Sequence, residues 1–176
     1  MANPHRPSLD TYFMDMAHLV ASRSTCEEAH VGAILVNSSN HILATGYNGG
    51  LPGQPECSGK ASCKLVRARS CGEVQEMCPT IHAEANALAQ FRFNHGLPLV
   101  PPGSTIYVTT FPCLACLQQL IQAGVDKVVY GSYNSWHELG QFYADKIQFQ
   151  VHLLPKPTIT FPKVWHLSTL TTPTNQ

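Results

Sequence analysis

The chain has 176 residues, of which 11 are Lys or Arg and 11 are Asp or Glu, so its formal net charge is zero and only 12% of it is charged. That length suits one compact domain, and charged residues at half the usual ~25% leave bulk electrostatics unable to hold DNA, RNA or an anionic membrane. The apolar share is 44%, and no run approaches the ~18 apolar residues that span a bilayer, so a soluble globular protein is expected.

The opening Met1-Ala2-Asn3-Pro4-His5-Arg6-Pro7 leads into an amphipathic pattern. It lacks the apolar core and small-residue cleavage site of a signal peptide, so a cytoplasmic, reducing location is expected. In such a compartment the 7 cysteines read as metal ligands or catalytic groups before disulfides, and an odd count does not fit a fully paired framework.

From Ser8 to about Arg23, Leu9, Tyr12, Phe13, Met16, Ala17, Leu19 and Val20 recur at helical spacing, with Ser8 as the N-cap. Val31 to Val36 and Ile42 to Tyr47 are short β-rich runs around the turn-like Asn37-Ser38-Ser39-Asn40, and predict a hairpin. Residues 49–79 then carry Gly, Pro, Ser and four cysteines without periodicity, an insertion far longer than the usual ~4–6-residue connection. A helix is predicted from about His82 to Asn94, a strand over Thr105 to Thr110, and a helix from Cys113 to about Ala123 that Gly124 can end. A strand over Lys127 to Tyr130, a helix from Trp136 to Ala144 and a last strand near Phe149 to Leu153 follow, with an irregular Pro- and Thr-rich tail beyond Pro155. Strands alternating with helices imply parallel pairing through crossovers, and hence an α/β domain with a mixed sheet and helices on both faces.

His82-Ala83-Glu84 opens one predicted helix and Pro112-Cys113-Leu114-Ala115-Cys116 opens the next. Cys113 and Cys116 lie on one helical face and can reach one ion, with His82 completing three protein ligands of a tetrahedral zinc and a fourth position left for water. Positive helix ends favour thiolates, and Pro112 sits where its missing N–H costs no helical bond. Glu84, two residues past the histidine, would reach the water and not the metal. His-x-Glu with Pro-Cys-x-x-Cys is the signature of zinc deaminases, in which an activated water attacks the amidine carbon and the glutamate shuttles protons. The plainer reading is a structural zinc with an idle surface carboxylate, but structural sites normally recruit a fourth protein ligand.

With these residues the chain resembles the deoxycytidylate (dCMP) deaminase family of the cytidine deaminase superfamily over about residues 10–154. The motifs are Arg23-Ser24-Thr25-Cys26, Val31-Gly32-Ala33, Gly46-Tyr47-Asn48-Gly49, Ile81-His82-Ala83-Glu84-Ala85-Asn86-Ala87, Tyr107-Val108-Thr109, Phe111-Pro112-Cys113-Leu114-Ala115-Cys116 and Ile121-Gln122-Ala123-Gly124. The resemblance implies a single deaminase domain over 1–176, folded as a three-layer α/β/α sandwich around a five-stranded mixed sheet. It implies homo-oligomers, often hexamers, and hydrolysis of dCMP to dUMP with release of ammonia. It assigns zinc to His82, Cys113 and Cys116 and proton transfer to Glu84. Substrate contacts would come from Asn48, which could equally be a plain turn former, from Ala83, and from Tyr133, where packing is the competing role. In the family dCTP often activates and dTTP inhibits, so effector nucleotides, accompanied by Mg2+, join the substrate as expected partners.

Five cysteines remain: Cys26, Cys57, Cys63, Cys71 and Cys78. Their irregular spacing is compatible with unrelated buried thiols. The resemblance instead implies a second, structural zinc on Cys26, Cys57, Cys63 and Cys78, with Cys71 as the alternate. One departure stands out: where many relatives place a basic residue shortly after the first of these cysteines, this chain has Glu27 and Glu28, while Lys60, Lys64, Arg67 and Arg69 offer a basic cluster in the insertion. The competing readings are a tRNA or other nucleic-acid deaminase of the same superfamily, which zero net charge disfavours, and a non-catalytic zinc-stabilised binding module, which the intact Glu84 disfavours.

Overall fold

The structure is a computed structural model and describes residues 6–26, 29–53, 80–134 and 137–154. Glu27, Glu28, the basic residues Lys60, Lys64, Arg67 and Arg69, the cysteines Cys57, Cys63, Cys71 and Cys78, and the tail from Pro155 lie outside the described residues.

Helix α1 (Leu9–Ala21) starts where expected, with the Ser8 side chain accepting from the Thr11 N–H at 3.1 Å. Strands β1 (Gly32–Val36) and β2 (Ile42–Tyr47) pair antiparallel. Their turn is held by Asn37, whose Oδ1 accepts from the Ser39 and His41 N–H groups, and by Asn40 at φ 65°, a conformation asparagine tolerates. Helix α2 (Ala83–His95), strand β3 (Thr105–Val108), helix α3 (Leu114–Gln122), strand β4 (Lys127–Tyr130), helix α4 (His137–Lys146) and strand β5 (Gln150–Leu153) complete the fold.

The sheet runs in the order β2-β1-β3-β4-β5, antiparallel at β2–β1 and β1–β3 and parallel at β3–β4 and β4–β5. Parallel neighbours need crossovers, and α3 and α4 supply them. Residues of β1 are buried along the whole strand because both faces are covered. Alternation sorts them: Ala33 and Leu35 join Ile106, Val108 and Val128 under α2, α3 and α4, whereas Ile34 and Val36 join Tyr107 and Val129 under α1. The domain is thus a three-layer α/β/α sandwich.

Two glycines let helices approach the sheet closely. A Cβ on Gly32 would overlap the Ala17 carbonyl and the Ala21 N–H of α1, and one on Gly46 would overlap the Ala83 carbonyl and the Ala87 N–H of α2. The second contact presses the first turn of α2 against β2.

Three differences from the sequence reading have physical causes. Leu9, Tyr12 and Leu19 of α1 are exposed, while Asp15 is buried, because the helix is turned with Phe13, Met14 and Ala17 onto the sheet. Strand β3 ends at Val108, two residues early: the Thr109 N–H still donates to the Gly32 carbonyl, but the Gly32 N–H bonds to Thr109 Oγ1 and the Thr109 carbonyl accepts from Ser132 Oγ. Helix α4 runs on to Lys146. Among the described residues no helix is long and apolar enough to cross a membrane.

Candidate metal and catalytic site

His82 and Cys113 are the N-caps of α2 and α3, both in extended backbone, and neither side chain caps its own helix. They turn toward each other instead. The His82 Nδ1 lies 3.6 Å from Cys113 Sγ and 3.4 Å from Cys116 Sγ, the latter one turn into α3. Both cysteines are buried. The sequence reading placed these residues at converging helix starts, and the fold brings them together.

Their ligand atoms all lie within 4.8 Å of one another, and this is the one such His/Cys/Asp/Glu group among the described residues. A tetrahedral zinc with Zn–S of ~2.3 Å and Zn–N of ~2.0–2.1 Å would hold sulfur and nitrogen about 3.6 Å apart. The donor set therefore fits zinc in both chemistry and spacing, with three protein ligands among the described residues.

The two thiols behave as one acid. The hydrogen bond from Cys116 lowers Cys113 to about 3 despite burial, and the His82 imidazole helps. Cys116 is pushed up by the same hydrogen bond and by its own burial. The shifts run in opposite directions because the two sulfurs are hydrogen-bonded to each other, and a divalent cation binds both as thiolates.

Glu84 sits in the first turn of α2, 4% exposed, outside the ligand group but beside Cys116 and under the influence of His82 and Cys113. Burial raises its carboxyl above the ordinary value, outweighing the lowering by its own backbone N–H and by His82. A carboxyl that holds a proton more readily than usual suits proton transfer.

The approach to His82 is fixed by β2 and its continuation. Gly49 and Ile81 exchange backbone hydrogen bonds of 3.1 and 2.8 Å, and Asn86 Nδ2 donates to the Tyr47 carbonyl at 2.8 Å. Asn86 belongs to the motif quoted above, yet its role as a strut appears only in three dimensions. Asn48 is 6% exposed and knots the loop after α1: its Oδ1 accepts from the Val31 N–H at 2.8 Å and Ser24 Oγ at 2.6 Å, and its Nδ2 donates to the Ala29 carbonyl at 2.7 Å. Among the described residues Asn48 Nδ2 uses one of its two hydrogens. Ala83 is fully buried, its carbonyl packed against Gly46 of β2.

Tyr133, 58% exposed, follows β4 in a loop tied to the chain that enters Cys113. In that tie the Phe111 N–H donates to the Ser132 carbonyl at 2.9 Å and Asn134 Nδ2 donates to the Phe111 carbonyl at 2.5 Å. Cys26 is a buried free thiol whose N–H donates to Ser24 Oγ, and it joins no metal-type group among the described residues.

Residues 7–132 match the family described as the cytidine and deoxycytidylate deaminase zinc-binding region. The chain belongs to that family. Over 159 residues the chain is 38% identical to the deoxycytidylate deaminase of Schizosaccharomyces pombe, covering 89% of this chain and 48% of that protein's length. Over 128 residues it is 36% identical to the deoxycytidylate deaminase of Mycobacterium phage D29, covering 71% of this chain and 95% of the phage protein. Among solved structures, the dCMP deaminase of cyanophage S-TIM5 in complex with dCMP and dUMP aligns at a TM-score of 0.66 and 26% identity, over 85% of this chain and 98% of that one. The matched span includes His82, Cys113 and Cys116.

Proposed function

We propose that the chain hydrolyses dCMP to dUMP and ammonia. The observation that carries this reading is the buried Glu84 beside a group of three protein ligands that leaves a fourth metal position for water. The relatives named deoxycytidylate deaminase support the choice of substrate.

His82, Cys113 and Cys116 would hold the zinc, which when bound supplies the Lewis acidity that brings the pKa of a water into the physiological range. Glu84 takes one proton from that water and delivers it to N3 of cytosine as the oxygen adds to C4. It then moves the second proton to the exocyclic amino group as the C4–N bond breaks, so water leaves its oxygen on the base and ammonia departs. Asn48 offers its remaining amide hydrogen to the sugar, the first-turn backbone N–H of Ala83 offers a donor to the base or the water, and Tyr133 flanks the ring.

The same reading extends to a second, structural zinc on Cys26 with Cys57, Cys63 and Cys78, Cys71 being the alternate. It also includes a homo-oligomer such as a hexamer, dCTP and dTTP as effectors with Mg2+, and a cytoplasmic location. Two zinc ions per chain are expected for the second site, and one per chain with the remaining thiols free to react would remove it.

The test is ammonia release by zinc-loaded protein from cytidine, deoxycytidine, dCMP and dCTP, each with and without effector dCTP or dTTP. Turnover of dCMP above the rest is expected. No ammonia from any of the four would end the proposal.

A further inference from the structure

The imidazole of His137, the first residue of α4, contacts three aromatic rings: Phe111 of the β3–α3 connection, Tyr130 at the end of β4 and Tyr133 of the loop that follows it. Its ring lies 4.3 Å from Tyr133 at 76°, 4.9 Å from Phe111 at 79° and 5.8 Å from Tyr130 at 44°. Its Nε2 is also hydrogen-bonded to the Tyr130 hydroxyl at 3.1 Å. The two steep angles are the edge-to-face geometry that aromatic quadrupoles favour.

Phe111 and Tyr133 stand on different sides of this clamp. Phe111 is 1% exposed, perpendicular to Tyr130 at 4.8 Å, and two residues ahead of the zinc ligand Cys113. Its ring meets α4 at Gly140, where any Cβ would overlap it. Tyr133 is mostly exposed and has ring contacts with His137 and Tyr130. An exposed tyrosine ordinarily samples several rotamers, and contact along one side removes much of that freedom. Among the described residues its ring contacts are confined to Tyr130 and His137, and its loop is bonded to the Cys113 approach.

We infer that His137 is a positioning residue of the deaminase site: it clamps Tyr133 against Phe111 and Tyr130, so that Tyr133 stands as a preset stacking wall for the pyrimidine ring of the substrate. This rests on the deaminase reading above. The clamp acts on ring placement and not on the proton-transfer chemistry of Glu84, so it governs substrate binding more than turnover. Because the contact that matters is ring against ring, a planar aromatic in place of the imidazole should serve, whereas a polar residue that keeps only the bond to Tyr130 should not.

The experiment is steady-state kinetics on dCMP, with dUMP affinity measured by equilibrium dialysis. His137→Ala is expected to raise KM and weaken dUMP about three- to tenfold, the range of one aromatic pair, with kcat changed far less. Tyr133→Ala should raise KM by at least as much, and adding His137→Ala to it should raise KM no further. His137→Phe should restore binding and His137→Asn should not. Unchanged KM and dUMP affinity in His137→Ala, equal rescue by Asn, or full multiplication of the two effects in the double variant would each overturn the inference. Should His137→Ala not fold, Tyr133→Ala, altered at an exposed position, and His137→Phe decide it: unchanged KM in the first or a raised KM in the second overturns it. Absence of ammonia from every cytosine nucleotide with the wild-type chain would sink the deaminase reading itself.

Discussion

His82 and Cys113 hold the same station on two different helices, each an N-cap in extended backbone without a side-chain cap hydrogen bond, and their side chains meet at 3.6 Å. Both helix starts thereby forgo side-chain capping to build a metal-binding group. Asn and Ser are strong N-caps, and replacing a non-capping residue with one typically gains about 0.5–2 kcal/mol. His82→Asn and Cys113→Ser should therefore leave the metal-free protein as stable as wild type or raise its stability by about 0.5–2 kcal/mol, while abolishing deamination and lowering zinc content by one per chain. Thermal unfolding after chelation, beside metal analysis, checks this; a large loss of metal-free stability in both variants would contradict it.

Glu84 is buried beside the ligand group yet stands outside it. Glu84→Gln should keep zinc at the wild-type level and lower kcat on dCMP by about 10²–10⁴, the range for a lost general acid–base group. Zinc lost together with activity would instead make Glu84 a ligand.

Asn48 satisfies the Val31 N–H, Ser24 Oγ and the Ala29 carbonyl with one side chain. Asn48→Ala strands part-buried polar groups, and about 1–3 kcal/mol of stability should go with them. The urea midpoint should fall by a matching amount. An unchanged midpoint with a raised KM would mean that Asn48 serves the ligand alone.

His18 lies on α1 with its Nε2 buried and unpartnered among the described residues, three positions after Asp15, whose two carboxylate oxygens are likewise buried and unpartnered there. Burial lowers the His18 pKa below 6.5, and attraction to Asp15 offsets this only in part. The folded chain thus favours the neutral imidazole. Its contribution to stability is complete above the unfolded value near 6.5 and is lost as pH falls from there through the lower folded value. His18→Gln should flatten the fall in urea midpoint between about pH 7.5 and 5.5. A slope identical to wild type would show that His18 is not its source.

How much of this was legible in the sequence follows from what each signal encodes. Local rules were enough for Ser8, Gly124 and the Asn37 to Asn40 turn, because capping and left-handed turns depend on nearby backbone. Spacing put Cys113 and Cys116 within one helical turn, whereas His82 meets them because two helix starts converge. The rotation of α1, which buries Asp15 and exposes Leu19, was not legible, since apolar residues circle that helix too widely for periodicity to choose a face. Nor was the His137 clamp, whose rings come from β3–α3, β4 and α4 and meet only when parallel strands bring their ends together. Asn48 read as either a turn residue or a substrate contact, and its bonds to the loop after α1 are a third role that spacing cannot encode.

The backbone exchange between Gly49 and Ile81 brings the two ends of the cysteine-bearing excursion together on the frame of the domain. A chain pinned at its point of departure and return can change length between those points at low thermodynamic cost, about 0.6 kcal/mol for each doubling. His82 follows one residue after that pairing. This hinge point marks where the domain can gain, lose or exchange a module while keeping its chemistry, and where a reporter peptide could be spliced in.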